Sequence, residues 1–538
     1  MNTNGIFIKG SPATNEQSDI IKCVAGGEKS VVINAFAGTG KTTTLIGVAE
    51  HAISSKVKIL YLAFNASMAQ SARTAFAHLP NVEVRTVHAF AKPHISSSDP
   101  TVRKNYTSSE ISKLYGLSSK DSYVFLQEFE YFCNSDLLDF PSGMSHKMRL
   151  ERFFEDMESG KVQMTHSFYL KKFHLNLVGS VPMKLQNYEL AMLDEYQDTN
   201  AVTRAIFDNI SAKQRIVVGD THQNIYGFRG SSNIMNDMAG QKFYLTNSFR
   251  FGSEIANYAS SFLHTFKGEG EKITGRGTST VARIAVVLSR TNASLVQNIL
   301  SFIKQGFYYK TIRDANLVFG LPLSIARLNA GGEVFSNEYK YLIWEKEKYQ
   351  KEAKKYDNFA SYFFAKGQER DDPEMMWSGK MAKEYTLDSL ENAYEQTRVN
   401  NQNPEVCQYF AGTAHSAKGL EFDVVKMSDD FKNCFELVAK WAVANDITET
   451  DEGFLYSFVE HAREGNVPSD IIEEFNLFYV AITRAKVKVF FDNETANIFN
   501  LSSSEINSEI NFYYKKILEN MKKIKHFDKK VSQPTFVF

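Results

Sequence analysis

Short apolar runs alternate with stretches of helical spacing along the N-terminal part of the chain. Ser30-Val31-Val32-Ile33-Asn34 reads as a buried strand, Lys58 to Asn65 as a second and Val82 to Thr86 as a third. Thr43 to His51 reads as a helix between the first two. Glu189 to Leu193 and Gln214 to Asp220 resume the strand series further on. Strands alternating with helices predict a parallel sheet, and such sheets bind ligands beyond the carboxyl ends of their strands. From about Lys92 to Met183 the alternation stops. That segment is rich in Phe, Tyr, Lys and Ser, has helical stretches such as Asp121 to Cys133, and reads as a helical insertion whose aromatics form core. Val281 to Ser289 opens a second apolar series. It is interrupted from about Gln305 to Pro404 by a charged helical segment, in which Glu338 to Tyr356 alternates Glu and Lys and predicts a solvated face. Val487 to Phe491 reads as a closing strand. The fold class expected is α/β, with two parallel-sheet lobes that each carry a mainly helical insertion. No internal repeat or low-complexity tract is visible.

The strand ends carry the chemistry. Ala35-Phe36-Ala37-Gly38-Thr39-Gly40-Lys41-Thr42 joins the first strand to the helix that continues through Thr43. A glycine-rich turn between strand and helix aims backbone N–H groups and a helix dipole at one point, which suits phosphate. Lys41 would reach the outer phosphates and Thr42 would hold Mg²⁺. Ala35 stands in the first glycine slot of G-x-x-x-x-G-K-[ST]. Further on, an apolar strand delivers Asp194-Glu195-Tyr196-Gln197-Asp198. Asp194 would hold Mg²⁺ through its water shell and Glu195 would orient the attacking water. Gln223, after the strand that ends in Gly219-Asp220, is placed to report a γ-phosphate. Tyr226, Phe228 and Arg229 interleave aromatic and basic groups, which suits either stacking on single-stranded bases or plain packing. Gln17 follows Thr14 at capping-box spacing. It is open both as a helix cap and as an amide for an adenine edge. Phe64, Thr86 and His88 fall at strand ends of the same expected sheet.

Composition narrows the class. The chain has 538 residues, 43% of them hydrophobic, so several cores are expected. A net charge of −1 excludes a uniformly basic coat and confines any nucleic-acid contact to a local groove. The four cysteines form no C-x-x-C pair, which points to a reducing compartment without zinc. Without a signal-peptide pattern at Met1-Asn2-Thr3 or an apolar run of membrane-spanning length, an intracellular, cytoplasmic and nucleoid-associated protein is expected, with no membrane partner.

The order of these motifs resembles the superfamily 1 helicases of the UvrD/PcrA/Rep type. Leu245 to Arg250 looks like that family's fourth motif, Ala411 to Asp423 its fifth and Asn476 to Lys486 its sixth. The runs His415-Ser416-Ala417-Lys418-Gly419-Leu420-Glu421 and Asn476 to Ala485, with Ser428-Asp429-Asp430-Phe431, look closest to the F-box DNA helicase branch. No F-box precedes the first motif, so the helicase part alone is expected to be shared. The resemblance implies two RecA-like lobes of P-loop NTPase type with ATP between them. Residues 1–92 with 184–247 would form the first lobe, 248–304 with 405–500 the second. Residues 93–183 and 305–404 would be accessory insertions and 501–538 a basic tail, either a solvated helix or a contact to DNA or a partner.

Carried over by motif, Gln17 contacts adenine and Phe249 stacks on it. Ala37, Gly38, Thr39, Gly40, Lys41, Thr42 and Thr43 line the phosphates, and Gly419 and Glu421 meet the nucleotide from the second lobe, Glu421 at the ribose. Arg250 and Arg484 act as arginine fingers beside Lys41, Glu195 and Gln223. Phe64, Thr86, His88, Tyr226, Phe228, Arg229 and His415 would line a channel for single-stranded DNA. The family often has Arg where Thr43 stands and Trp where Phe228 stands, so looser base selectivity and weaker stacking are expected. The activity implied is an ATP- and Mg²⁺-dependent helicase moving 3′ to 5′ on single-stranded or forked DNA in repair or recombination control, acting as a monomer beside repair or recombination proteins. A translocase that strips proteins with little unwinding, and a non-motor DNA-binding switch, are the alternative readings.

Overall fold

Six strands of the N-terminal half pair side by side, all parallel: β1 (Ser30–Ala35), β2 (Ile59–Ala63), β3 (Val82–Thr86), β4 (Tyr188–Leu193), β5 (Ala212–Gly219) and β6 (Gln241–Leu245). Their order across the sheet is β3-β2-β4-β5-β1-β6. These observations come from a computed structural model, which describes residues 5–95, 101–179, 183, 185–225, 235, 238–336, 339–369, 373–407, 409–448 and 453–531. The inner strands β1, β2 and β4 read as largely apolar runs because both faces of the sheet are covered there, while the edge strands β3 and β6 are partly exposed. The pleat sends Val31 and Ile33 to one face, against Leu45 and Val48 of helix α2 (Lys41–His51) and Ile20 and Ile21 of helix α1 (Asn15–Ala25). Val32, Leu60 and Leu62 face the other way, into one core with Phe125, Phe129, Phe153, Phe168 and Phe173 of the helices between residues 108 and 178. The aromatics of that insertion are therefore core, and the core is shared with the sheet.

The chain divides into two compact units between Asn247 and Ser248. The second unit has its own parallel sheet: β7 (Ala285–Ser289), β8 (Tyr309–Thr311), β9 (Tyr409–Thr413), β10 (Phe422–Met427) and β11 (Ala485–Phe490), in the order β8-β9-β7-β10-β11. The helices between β8 and β9 bury Phe319, Leu323, Phe359, Phe363 and Leu390 against Val287, Tyr309 and Ala411. Two α/β lobes built on parallel sheets are the architecture that the strand–helix alternation implied.

Three local expectations are corrected. The strand expected from Val281 begins only at Ala285. Val281 and Ile284 are exposed, and the N–H groups of Arg283 and Ile284 donate to the Asp423 carboxylate (2.9 and 3.0 Å) instead of to a neighbouring strand. The charged helix Tyr341–Glu352 is not solvated all round: Glu345 is buried, accepting from Lys348 Nζ (3.1 Å) and Tyr362 Oη (3.3 Å). The C-terminal segment is a helix, Ser503–Val531, and its first turns dock. Ile506 and Ile510 are buried, and Asn507 Oδ1 accepts from the Leu455 N–H (3.0 Å), because apolar residues recur there at helical spacing. Among the described residues no helix is long and apolar enough to cross a membrane, and all four cysteines are free.

Candidate functional site

Because β1 to β6 run parallel, their carboxyl ends share one edge. That edge collects the phosphate loop after β1, Phe64 after β2, Thr86 and His88 at the end of β3, Asp194 and Glu195 after β4, and Asp220 to Gln223 after β5. The loop is closed on itself. Thr39 Oγ1 donates to the Phe36 carbonyl (2.7 Å), and the Phe36 ring stacks on His222 with centroids 6.0 Å apart. Ala35 fits the first glycine slot because it ends β1 in extended pairing with Leu245 and is fully buried. Gly40 has φ +83°, a left-handed conformation that favours glycine, and it begins α2 with no side-chain cap among the described residues. The first N–H groups of α2, with Lys41, Thr42 and Thr43, thus face the edge.

Lys41 Nζ donates to Glu195 Oε1 at 2.7 Å, and the two form an ion pair. Burial acts to lower the proton affinity of this ammonium, but the carboxylates of Glu195 and Asp194 outweigh it and hold its pKa above the ordinary value. Burial first, then the Glu195 charge, holds Asp194 above the usual carboxylate range. Glu195 has φ +53°, uncommon for a residue with a side chain and a mark of backbone held by its surroundings. Its second oxygen accepts from Gln197 Nε2 (2.6 Å), and Gln197 Oε1 accepts from the Asp220 N–H (3.0 Å). Gln223 is buried and donates through Nε2 to Asp220 Oδ2 (2.6 Å). One chain of contacts therefore runs Lys41–Glu195–Gln197–Asp220–Gln223. Sequence reasoning passed over Gln197. It also passed over Tyr61, whose phenol donates to Asp194 Oδ2 at 2.5 Å.

Gln17 is placed as the helix cap, the first of its two open readings. Its Oε1 accepts from the Thr14 N–H (3.0 Å), completing the capping box, and its Nε2 donates to Thr44 Oγ1 (3.2 Å) on α2, beside the loop. An adenine edge would compete with those partners. In the second unit, Phe249 is 53% exposed, as an aromatic that stacks on a ligand must be. Arg250 donates to Glu421 Oε1 (2.8 Å) and to the Thr483 carbonyl (2.9 Å), so Glu421, expected at a ribose, is engaged with Arg250. Arg484 is 1% exposed and donates to the Val480 carbonyl (3.0 Å) and Thr483 Oγ1 (3.3 Å). Gly419 has φ +84°, and nothing lies within 4 Å of where a Cβ would stand.

Of the expected DNA contacts, Tyr226, Phe228 and Arg229 lie outside the described residues. Thr86 caps the helix Val87–Ala91, its Oγ1 accepting from the Ala89 N–H (3.1 Å). Phe64 is half-buried at the edge. His88 packs edge-on against His166 and Tyr169 (5.9 and 5.7 Å), and burial followed by the His166 charge lowers its pKa to about 4. His415 lies just past the end of β9. Burial, then Arg290, lowers its pKa to about 4 as well. Both are neutral imidazoles near pH 7, able to pack or share one proton but not to pair ionically with phosphate.

The donor set fits a triphosphate with a hydrated divalent cation. No group of three His, Cys, Asp or Glu stands together among the described residues. A Mg²⁺ here would thus rely on the Thr42 hydroxyl, phosphate oxygens and water, with Asp194 behind the water, as that ion prefers. The uncapped N-terminus of α2 and Lys41 suit the phosphates.

Residues 17–229 match the family described as AAA domain, and residues 326–496 match the UvrD-like helicase C-terminal domain. The two matched domains, in this order, are those of a UvrD-like superfamily 1 helicase. Among curated relatives of this UvrD-like chain, F-box DNA helicase protein 1 of Schizosaccharomyces pombe is 25% identical over 91% of it and F-box DNA helicase 1 of Gallus gallus 27% over 88%. A probable DNA helicase of Mycoplasma pneumoniae is 23% identical over 57% of the chain and 44% of its own length. The chain spans 58% and 48% of the two F-box relatives, about half the length of the proteins it matches.

Proposed function

We propose that this chain is an ATP-driven motor that moves 3′ to 5′ on single-stranded DNA and opens duplex, with Mg²⁺ as the companion of ATP. The observation that carries the reading is the contact chain Lys41–Glu195–Gln197–Asp220–Gln223 at one strand edge. It joins a phosphate-binding lysine, a water-activating carboxylate and a γ-phosphate reporter, the parts that phosphoryl transfer requires. The names of the relatives, DNA helicases, support DNA as the track. Residues 1–92 with 184–247 serve as the first motor lobe and 248–304 with 405–500 as the second. Phe249, Arg250, Glu421 and Arg484 act on the nucleotide, while Phe64, Thr86, His88 and His415 contact the strand. The setting proposed is repair or recombination control.

The test is ATP hydrolysis with and without single-stranded DNA, for wild type and Glu195→Gln. Hydrolysis by the wild type rises with DNA, and the substitution lowers it by roughly 10²–10⁴-fold, the usual contribution of a positioned general base. A wild-type rate indifferent to DNA rules out the motor; an unimpaired E195Q rules out Glu195 as the base.

A further inference from the structure

Tyr61 lies in the middle of β2, 1% exposed, where an aromatic side chain ordinarily only fills core. Its register is specific. Tyr61 is paired with Met192 of β4, and Asp194 lies two residues beyond Met192 on the same face. The phenol therefore reaches diagonally to Asp194, and its Oη donates to Asp194 Oδ2 at 2.5 Å. The other carboxylate oxygen, Oδ1, accepts from the Glu195 N–H at 2.9 Å.

We infer that Tyr61 is a positioning residue for the divalent cation: its phenol fixes the orientation of the Asp194 carboxylate. This rests on the reading of the site as one for a Mg²⁺-bound triphosphate. The direction of the bond follows from the inventory of donors: a carboxylate only accepts, so the single phenolic proton goes to Asp194. Asp194, pinned at both oxygens, keeps its remaining lone pairs for the water shell of the ion. Phe76, 5.1 Å from the Tyr61 ring centroid, wedges the ring so that the phenol cannot swing away. A phenylalanine at position 61 would fill the same space and remove the donor to Asp194 Oδ2.

The test compares wild type and Tyr61→Phe by the binding of a fluorescent, non-hydrolysable ATP analogue titrated with Mg²⁺, a readout separate from turnover. The Mg²⁺ concentration giving half of the tight binding rises roughly tenfold in Y61F, the usual effect of removing a partner of a metal ligand. Affinity for the analogue in EDTA stays the same. In an Asp194→Asn background the Y61F effect on the Mg²⁺ midpoint disappears, because the phenol no longer acts through a carboxylate. The variants are near-isosteric, and melting curves check that each is folded. An unchanged midpoint in Y61F, or an equal loss of affinity with and without Mg²⁺, overturns the inference and returns Tyr61 to the core. A wild type that binds the analogue equally well with and without Mg²⁺ overturns the triphosphate reading itself, and that arm is measured before any substitution is made.

Discussion

A single amide serves three groups at Gln197. Its Nε2 donates to Glu195 Oε2 (2.6 Å) and, more weakly, to Asp198 Oδ2 (3.4 Å), while its Oε1 accepts from the Asp220 N–H. Space around it is set by Gly219, where a Cβ would stand 2.3 Å from Gln197 Oε1. Gln197→Leu keeps the volume but removes the acceptor of the Asp220 N–H and the donor to Glu195 Oε2. It should cost about 1–3 kcal/mol of stability for the buried donor left without a partner. DNA-stimulated ATP hydrolysis should fall by roughly tenfold or more through loss of a fixed base geometry. Urea unfolding and steady-state hydrolysis check the two effects separately; a stability loss with full activity makes Gln197 a packing residue only. Gln197 and Tyr61 were the least legible residues of the site. Gln197 stands among carboxylates that carry the visible chemistry, and Tyr61 in an apolar run looks like any core aromatic. What distinguishes them is a partner on another strand, and strand order is absent from a linear reading. Lys41, Thr42, Asp194 and Gln223 were legible because each follows a strand and the ends of parallel strands must converge.

Burial of both faces made β1 legible as a continuous apolar run, whereas β3, a half-buried edge strand, was legible from its Val82-Glu83-Val84-Arg85-Thr86 alternation; these two and β5 begin or end within a residue or two of their expected bounds. The stretch before β7 misled because its apolar residues are exposed and its backbone is satisfied by a side chain, Asp423. Helix His166–Val178 shows what a buried element does to its polar residues. His174 is 2% exposed, and its Nδ1 has no hydrogen-bond partner among the described residues. Burial, then the Lys171 ammonium, lowers its pKa to about 4, with Asp136 opposing. The unfolded chain therefore binds a proton near pH 6.5 that the folded chain refuses until about pH 4. The contribution of this site to stability is complete above about pH 6.5 and is lost as pH falls toward 4. Melting temperature measured from pH 7.5 down to 5 should decline, and His174→Phe should flatten part of that decline.

On the scale of the whole molecule, the two units have separate sheets and separate cores, so unfolding need not be one transition. All three tryptophans, Trp344, Trp377 and Trp441, belong to the second unit, which makes tryptophan fluorescence a reporter of that unit alone. Calorimetry should resolve a transition that fluorescence misses. A non-hydrolysable ATP analogue with Mg²⁺, at a hundredfold excess over its Kd, should stabilise that silent transition by about 2.7 kcal/mol. The same analogue in EDTA should do so less. A silent transition that ignores the analogue would remove the nucleotide from the first unit.

Sheet order also sets a timetable for synthesis. β1 carries the phosphate loop and lies between β5 and β6, not beside β2, its neighbour in sequence. When β1 leaves the ribosome, neither flanking strand exists. At ordinary rates of translation the chain from Ala35 to Ala212 takes roughly 10–35 s to make, and for that time Val31, Val32 and Ile33 have no strand to pair with. The nascent chain is thus a substrate for chaperones that shield apolar segments. Slowing translation after β5 would lengthen that exposure little, while slowing it within residues 93–183 would extend it directly. Strand β1 is written first and meets its partners last, while β2 and β3 are neighbours both in the sequence and in the sheet.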